Sequence, residues 1–150
     1  MNTELAQLAR TDALTELGNR LRLGKDLAAV HAQAWRRGGG YCVAIGDLDH
    51  FKSYNDAYGH MEGDAALRAV AGVLASECRA GERAYRHGGE EFVVLMPNED
   101  LTSASRGAQR LCRCVEALAI PHASKSAPPA PGRRDHEHGH RRPPPWRRRD

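Results

Sequence analysis

Long apolar runs are missing from this sequence. None approaches the roughly 18 residues that a membrane-spanning helix needs, so no membrane segment is expected. Met1 to Arg10 lack the apolar stretch of a secretion signal, and a cytoplasmic location is expected. Cysteine is sparse: Cys42, Cys78, Cys112 and Cys114 show neither CxxC spacing nor a His/Cys ligand pattern. They read as small buried or half-buried thiols, without a disulfide framework in a reducing compartment. No internal repeat is present. The body also lacks a basic face. The net charge of +3 comes from the end of the chain, where residues 125–150 hold eight Lys+Arg against three Asp+Glu. Residues 1–124 hold 14 basic and 16 acidic residues, so no nucleic-acid partner is expected for them.

What remains is ordinary for a soluble globular domain. The chain has 150 residues, 41% hydrophobic and 27% charged, enough for one domain with a real core. Leu5, Leu8 and Ala9 fit a short helix, and Thr11 or Asp12 fits the cap of a following turn. Leu21 to Trp35 carries helical periodicity and is closed by Gly38-Gly39-Gly40. Tyr41 to Ile45 is a short continuous apolar run, read as a buried strand ending at Asp47-Leu48-Asp49. Residues 50–63 read as irregular helix and loop, and Asp64 to Glu77 as a helix with a buried face. Arg83–Arg86 and Phe92–Met96 flank Gly88-Gly89 as a β-hairpin, and residues 102–119 form a last helix. The expected class is α/β: an α+β sandwich with a central, mostly antiparallel sheet flanked by helices.

Two acidic clusters fall at strand ends, Asp47-Leu48-Asp49 and Glu90-Glu91. Carboxylates held together repel, and a divalent cation removes that cost. Mg²⁺ typically takes one or two carboxylates plus substrate phosphates. Asp47 and Glu90 could supply them if the hairpin lies beside the first strand; a solvated acidic rim is the alternative. Gly88 and Gly89 form either a plain turn or a place where a large ligand approaches backbone. Lys52 could meet phosphate as a point charge. Asn55 and Asp64 could read guanine, the carboxylate accepting from N1–H and N2–H and the amide serving O6. As alternatives these three are a surface lysine, a turn residue and a helix N-cap.

Read whole, the string changes the weights. Asp47-Leu48-Asp49-His50-Phe51-Lys52-Ser53-Tyr54-Asn55-Asp56-Ala57-Tyr58-Gly59-His60-Met61-Glu62-Gly63-Asp64 resembles the D-x-D-x-F-K-x-x-N-D-x-x-G-H-x-x-G-D signature of the diguanylate cyclase (GGDEF) family. Arg86-His87-Gly88-Gly89-Glu90-Glu91-Phe92 is similar to its R-x-G-G-[DE]-E-F signature, and Asp12 to Arg20 to its D-x-L-T-x-L-x-N-R opening.

The resemblance implies a palm-like nucleotide cyclase fold and a nucleotidyltransferase that condenses two GTP into cyclic di-GMP and two pyrophosphates. It further implies an active site shared between two domains of a homodimer. By position, Asp47, the Leu48 carbonyl and Glu90 would hold Mg²⁺ or Mn²⁺. Glu91 would support the metals or assist proton removal from the ribose 3′-OH. Asn55 and Asp64 would read guanine, and His60 would be a further substrate-site residue. Lys52, with the backbone at His50 and Phe51, would hold phosphates beside Gly88 and Gly89. Many members carry an inhibitory product site, R-x-x-D; here that window reads Arg79-Ala80-Gly81-Glu82, with Glu in place of Asp.

The resemblance stops near Pro121. Family domains continue into a V-T-x-S-I-G strand and a helix, both missing here. Residues 127–150 instead hold six Pro, seven Arg and three His, a composition that reads as disordered. Residues 1–124 are thus expected to be the catalytic domain and 125–150 a Pro/Arg-rich tail. A shifted frame is one origin. Read one base later, the codons CGT CGT GAC CAT GAG CAT GGG CAT CGG for Arg133 to Arg141 give Val-Val-Thr-Met-Ser-Met-Gly-Ile. A His136-x-His138-x-His140 metal tract and an RNA- or membrane-binding tail are weaker alternatives. Two functional readings stay open: an active cyclase, and a catalytically inactive module that binds GTP or cyclic di-GMP.

Overall fold

The computed structural model describes Leu5 and residues 9–121. The tail, the shifted-frame stretch, the His tract and most of the first expected helix lie outside the described residues. The elements are α1 (Arg20–Arg37), β1 (Tyr41–Asp47), α2 (Phe51–Tyr58), α3 (His60–Glu77), β2 (Arg83–Arg86), β3 (Glu91–Pro97) and α4 (Leu101–Glu116). Their strands form one antiparallel sheet in the order β1-β3-β2.

β3 explains the layering. As the central strand it is covered on both faces, so Phe92 to Met96 are all buried. Successive side chains alternate between faces. Phe92, Val94 and Met96 join Leu67, Val70, Leu74, Leu111 and Val115 of α3 and α4 in one core. Val93 and Leu95 join Tyr85 and Leu23 in the second, with Leu27 and Val30 of α1 packed against it. Helix α1 therefore covers one face of the sheet, and α3 with α4 the other.

Local chemistry marks the ends of α1. The Asn19 side chain accepts from the Arg22 N–H at 3.0 Å, and Gly38 closes the helix at φ 67°. Asp100 caps α4 by accepting from the Ser103 N–H at 2.7 Å. Between α1 and the sheet, the Tyr85 hydroxyl, in a residue only 1% exposed, donates to Asp26 at 2.6 Å. Burial first, and then the Asp26 carboxylate, push the Tyr85 hydroxyl well above the usual phenol range. A buried bond to a charged acceptor contributes on the order of 1.5–3 kcal/mol.

Four expectations need correction, the simplest being that Cys112 is exposed while the other three cysteines are half-buried. β1 is not a buried strand: Val43 and Ile45 are 41% and 65% exposed, while Cys42 and Ala44 pack on the core. It stands at the edge of the described sheet, and the apolar face of α1 reaches no further along it than Tyr41. Residues 50–63 are not irregular either. They form α2 and the start of α3, divided at Gly59 (φ 89°), so Asp64 lies inside α3 rather than at its N-cap. The last helix ends at Glu116, earlier than the expected 119.

Residues 9–19 dock beside β2. Gly18 bridges Tyr85, and the Gly18 carbonyl accepts from the Arg86 N–H at 2.9 Å. A Cβ at Gly18 would come within 2.6 Å of the Tyr85 ring, so only glycine allows this approach.

Candidate active site

The sheet register assembles the site. Asp47 ends β1 opposite Glu91, and the Leu48 N–H donates to the Glu90 carbonyl at 3.2 Å. The two acidic clusters, 43 positions apart along the chain, thus meet at one end of the sheet. Leu48 is 5% exposed and rooted in the core, which fixes the backbone between Asp47 and Asp49. An apolar cleft of about 300 Å³ runs back from these residues between β1, α3 and α4.

Burial raises the Glu90 carboxyl above its ordinary 4.5, and the Asp47 charge and a hydrogen bond between the two carboxyls raise it further. A divalent cation between the two carboxylates would remove the repulsion that opposes charge at Glu90. Carboxylate oxygens are the donor type that a hard divalent ion would take. No group of three or more His, Cys, Asp or Glu that could hold a metal occurs among the described residues. Asp47, Glu90 and the Leu48 carbonyl would leave the remaining positions to water and phosphate oxygens, which fits Mg²⁺ better than a closed protein cage.

A pH dependence follows. A raised carboxyl favours the protonated folded form, so its stabilising effect is full below pH 4.5 and is lost as pH rises through the folded value. Scanning calorimetry without metal should show this loss. The gain in melting temperature on adding Mg²⁺ should be small near pH 4.5 and grow above it. A Mg²⁺ effect independent of pH would separate Glu90 from the metal.

Glu91 is engaged differently. Its carboxylate lies 2.6 Å from His87 Nδ1, and its carbonyl accepts from the His87 and Gly88 N–H groups, closing the hairpin. Gly88 and Gly89 are exposed, and neither has positive φ. A Cβ at Gly88 would make ordinary contact at 3.6 Å, and one at Gly89 would meet open space. Neither packing nor backbone conformation demands glycine here, which favours room for a ligand over a plain turn.

Helix α2 opens at His50, a left-handed residue (φ 58°, ψ 27°), without a side-chain cap. Such a backbone is costly for a non-glycine residue, and strain of this kind concentrates at functional sites. The start of a helix attracts anions through its N–H groups and dipole. Phe51 packs against the core and anchors that start. Lys52 beside it is exposed, with no ion pair among the described residues. Asn55 sits one turn further along α2, and its buried Oδ1 has no hydrogen-bond partner. A Cβ at Gly63 would collide with that oxygen. Asp64, half-buried, follows Gly63 in α3, and His60 is exposed at the start of α3.

Arg79 is exposed, whereas the Glu82 side chain is 5% exposed, accepts from the Arg79 N–H at 2.8 Å and lies 3.8 Å from Arg110. In this arrangement Glu82 faces inward, toward α4. Residues that sequence reasoning left without a site role are Asp12, Arg86 and Arg110. The first two were visible inside motifs, as a turn cap and a strand end.

An antiparallel sheet with helices on both faces and paired carboxylates at one end defines a palm-like nucleotide cyclase fold. The sequence matches the family model "Diguanylate cyclase, GGDEF domain" over residues 9–131. It is 44% identical over 113 residues to the diguanylate cyclase DgcP of Pseudomonas aeruginosa, covering 75% of this chain and 16% of that one. It is 40% identical over 110 residues to the diguanylate cyclase VdcA of Vibrio cholerae, covering 73% and 31%. Among solved structures, the coiled coil and GGDEF domain of DgcB from Caulobacter crescentus, in complex with c-di-GMP, aligns with TM-score 0.74 and 30% identity, covering 83% of this chain and 65% of that one. The diguanylate cyclase SiaD of Pseudomonas aeruginosa, bound to its activator SiaC, aligns with TM-score 0.74 and 35% identity over 82% of this chain and 47% of that one. The chain belongs to the GGDEF family of diguanylate cyclases. It spans well under half the length of the two curated relatives. No described helix is long and apolar enough to cross a membrane.

Proposed function

We propose that this domain condenses two GTP into cyclic di-GMP and two pyrophosphates, with two copies each presenting one GTP to the other. The observation that carries this reading is the β1–β3 pairing and the Leu48–Glu90 backbone bond, which bring Asp47 and Glu90 to one end of the sheet beside an open glycine turn. In each half-reaction a ribose 3′-oxygen bonds to the α-phosphorus of the other GTP, the bond to pyrophosphate breaks, and the hydroxyl proton leaves to a base. Mg²⁺ or Mn²⁺, held by Asp47, Glu90 and the Leu48 carbonyl, would supply charge neutralisation and alignment.

The remaining roles belong to the protein. Asn55 and Asp64 orient guanine, with His60 at the rim. Lys52 and the N–H groups at the start of α2, after His50 and Phe51, hold the phosphates. Gly88 and Gly89 admit them. Glu91, held by His87, stands next to Glu90 to support the metal or take the proton. Arg79 and Glu82 would serve product inhibition only if Glu82 turned outward from Arg110.

The test is incubation of the purified full chain with GTP and Mg²⁺, followed by nucleotide chromatography. Cyclic di-GMP is the expected product. GTP binding without product would make the chain a binding module, and neither binding nor product would remove both readings.

A further inference from the structure

We propose that Asp12 and Arg86 are positioning residues for the metal site, a clamp that sets the path of the Gly88-Gly89 turn and so places Glu90 against Asp47. This rests on the metal reading of Asp47 and Glu90 given above.

A turn of two glycines has the largest backbone freedom a chain can have. Here neither positive φ nor packing holds it. Backbone bonds from the His87 and Gly88 N–H groups to the Glu91 carbonyl close its base, but the Gly88 and Gly89 carbonyls, which lead into Glu90, need partners of their own. Arg86, the last residue of β2, folds back over it. Arg86 Nε donates to the Gly88 and Gly89 carbonyls, both at 3.2 Å, and Nη2 donates to the Gly89 carbonyl at 2.8 Å. Gly89 is bonded directly to Glu90, so holding its carbonyl orients the peptide that carries the metal carboxylate.

The third nitrogen faces the other way. Arg86 Nη1 donates to Asp12 at 3.1 and 3.3 Å, in a pair whose side chains are 16% and 21% exposed. Asp12 is itself held by the Thr15 N–H at 2.9 Å and the Thr15 hydroxyl at 2.7 Å. The guanidinium thus connects the docked 9–19 stretch to the turn with every nitrogen used. Lysine, a point charge on a flexible stem, lacks the planar fork that spans Asp12 and two carbonyls together. A displacement of about 1 Å at a reacting centre costs on the order of a hundred-fold in rate.

A merely structural ion pair would make a different prediction. It would lower the melting temperature and leave metal affinity unchanged in the molecules that stay folded. The experiment compares wild type, Arg86→Lys and Asp12→Asn by Mn²⁺ titration at saturating 3′-deoxy-GTP, which lacks the attacking hydroxyl, read by electron paramagnetic resonance, with calorimetric melting measured without metal. Asp12→Asn is nearly isosteric and guards against a folding failure of Arg86→Lys. The clamp predicts Mn²⁺ affinity at least about ten-fold weaker in Arg86→Lys, a smaller loss in Asp12→Asn, and wild-type affinity for guanosine without metal. Wild-type Mn²⁺ affinity in both variants, or losses that only follow the unfolded fraction, would overturn it. Mn²⁺ binding is read without turnover, so an inactive wild type would count against the cyclase reading and not against the clamp.

Discussion

Glu90→Gln should abolish cyclic di-GMP formation and at the same time make the metal-free domain more stable. Burial and Asp47 both oppose a charge at Glu90. A neutral amide of the same shape removes that opposition and can donate a hydrogen bond to Asp47. The melting temperature without metal should therefore rise at neutral pH. Catalysis needs the opposite property, because only the carboxylate can hold a divalent cation whose charge offsets that developing on the phosphoryl oxygens. Such neutralisation is worth several kcal/mol, so turnover should fall by at least about a thousand-fold. Glu90→Ala should lose turnover equally, and Glu91→Ala should lose it as well. Calorimetry and nucleotide chromatography on the same preparations check both halves. A Glu90→Gln protein that keeps full activity would end the assignment of Glu90 to the metal. One that is both inactive and less stable would mean that the carboxylate has a structural partner other than Asp47.

Gly63→Ala should weaken GTP binding while preserving the fold. Gly63 is buried in α3, and a Cβ there would overlap Asn55 Oδ1 and come within 2.8 Å of Asn55 Cγ. In a helix interior alanine is favoured over glycine by about 1 kcal/mol, so helix propensity argues against glycine at this position. Room for Asn55 argues for it. The alanine variant must push the Asn55 amide, whose N–H would serve guanine O6, out of its place. A lost hydrogen bond at such a site costs about 1–3 kcal/mol, a roughly 10–100-fold weaker affinity. Titration calorimetry with GTP and ATP should show the loss concentrated on GTP, so that preference for guanine shrinks. Unchanged GTP affinity would remove Asn55 from guanine recognition.

Legibility of the fold followed the range of the forces involved. Helix α1 could be read locally, because its periodicity, Asn19 cap and Gly38 stop lie within one stretch. The hairpin could be read from Arg83–Arg86 and the apolar run Phe92–Met96 on either side of Gly88-Gly89. Burial was less legible. Tyr41–Ile45 and Phe92–Met96 look alike as apolar runs, yet β3 is buried throughout and β1 is half-exposed, because sheet order decides which strand is covered twice. The break at Gly59 was visible as a glycine, but the start of α3 at His60 was not, since glycine marks helix ends more often than starts and Gly59 has no side chain to cap with.

For the site, the sequence by itself determined which side chains are available: two carboxylate pairs, a lysine after the first, an asparagine and an aspartate at fixed spacing, and a glycine turn. Motif spacing is a property of the chain, and it pointed to one family. Only the tertiary structure decided who meets whom. The β1–β3 register puts residues 47 and 91 opposite each other, and the bond from the Leu48 N–H to the Glu90 carbonyl brings Glu90 to the same end of the sheet. Glu91 goes to His87, Glu82 turns toward Arg110, and Arg86 reaches back to Asp12, 74 positions earlier. Apart from the local Glu91–His87 pair, such pairings depend on the closing of long loops and on the burial that makes an unpaired charge expensive, and neither is written in any short stretch of sequence.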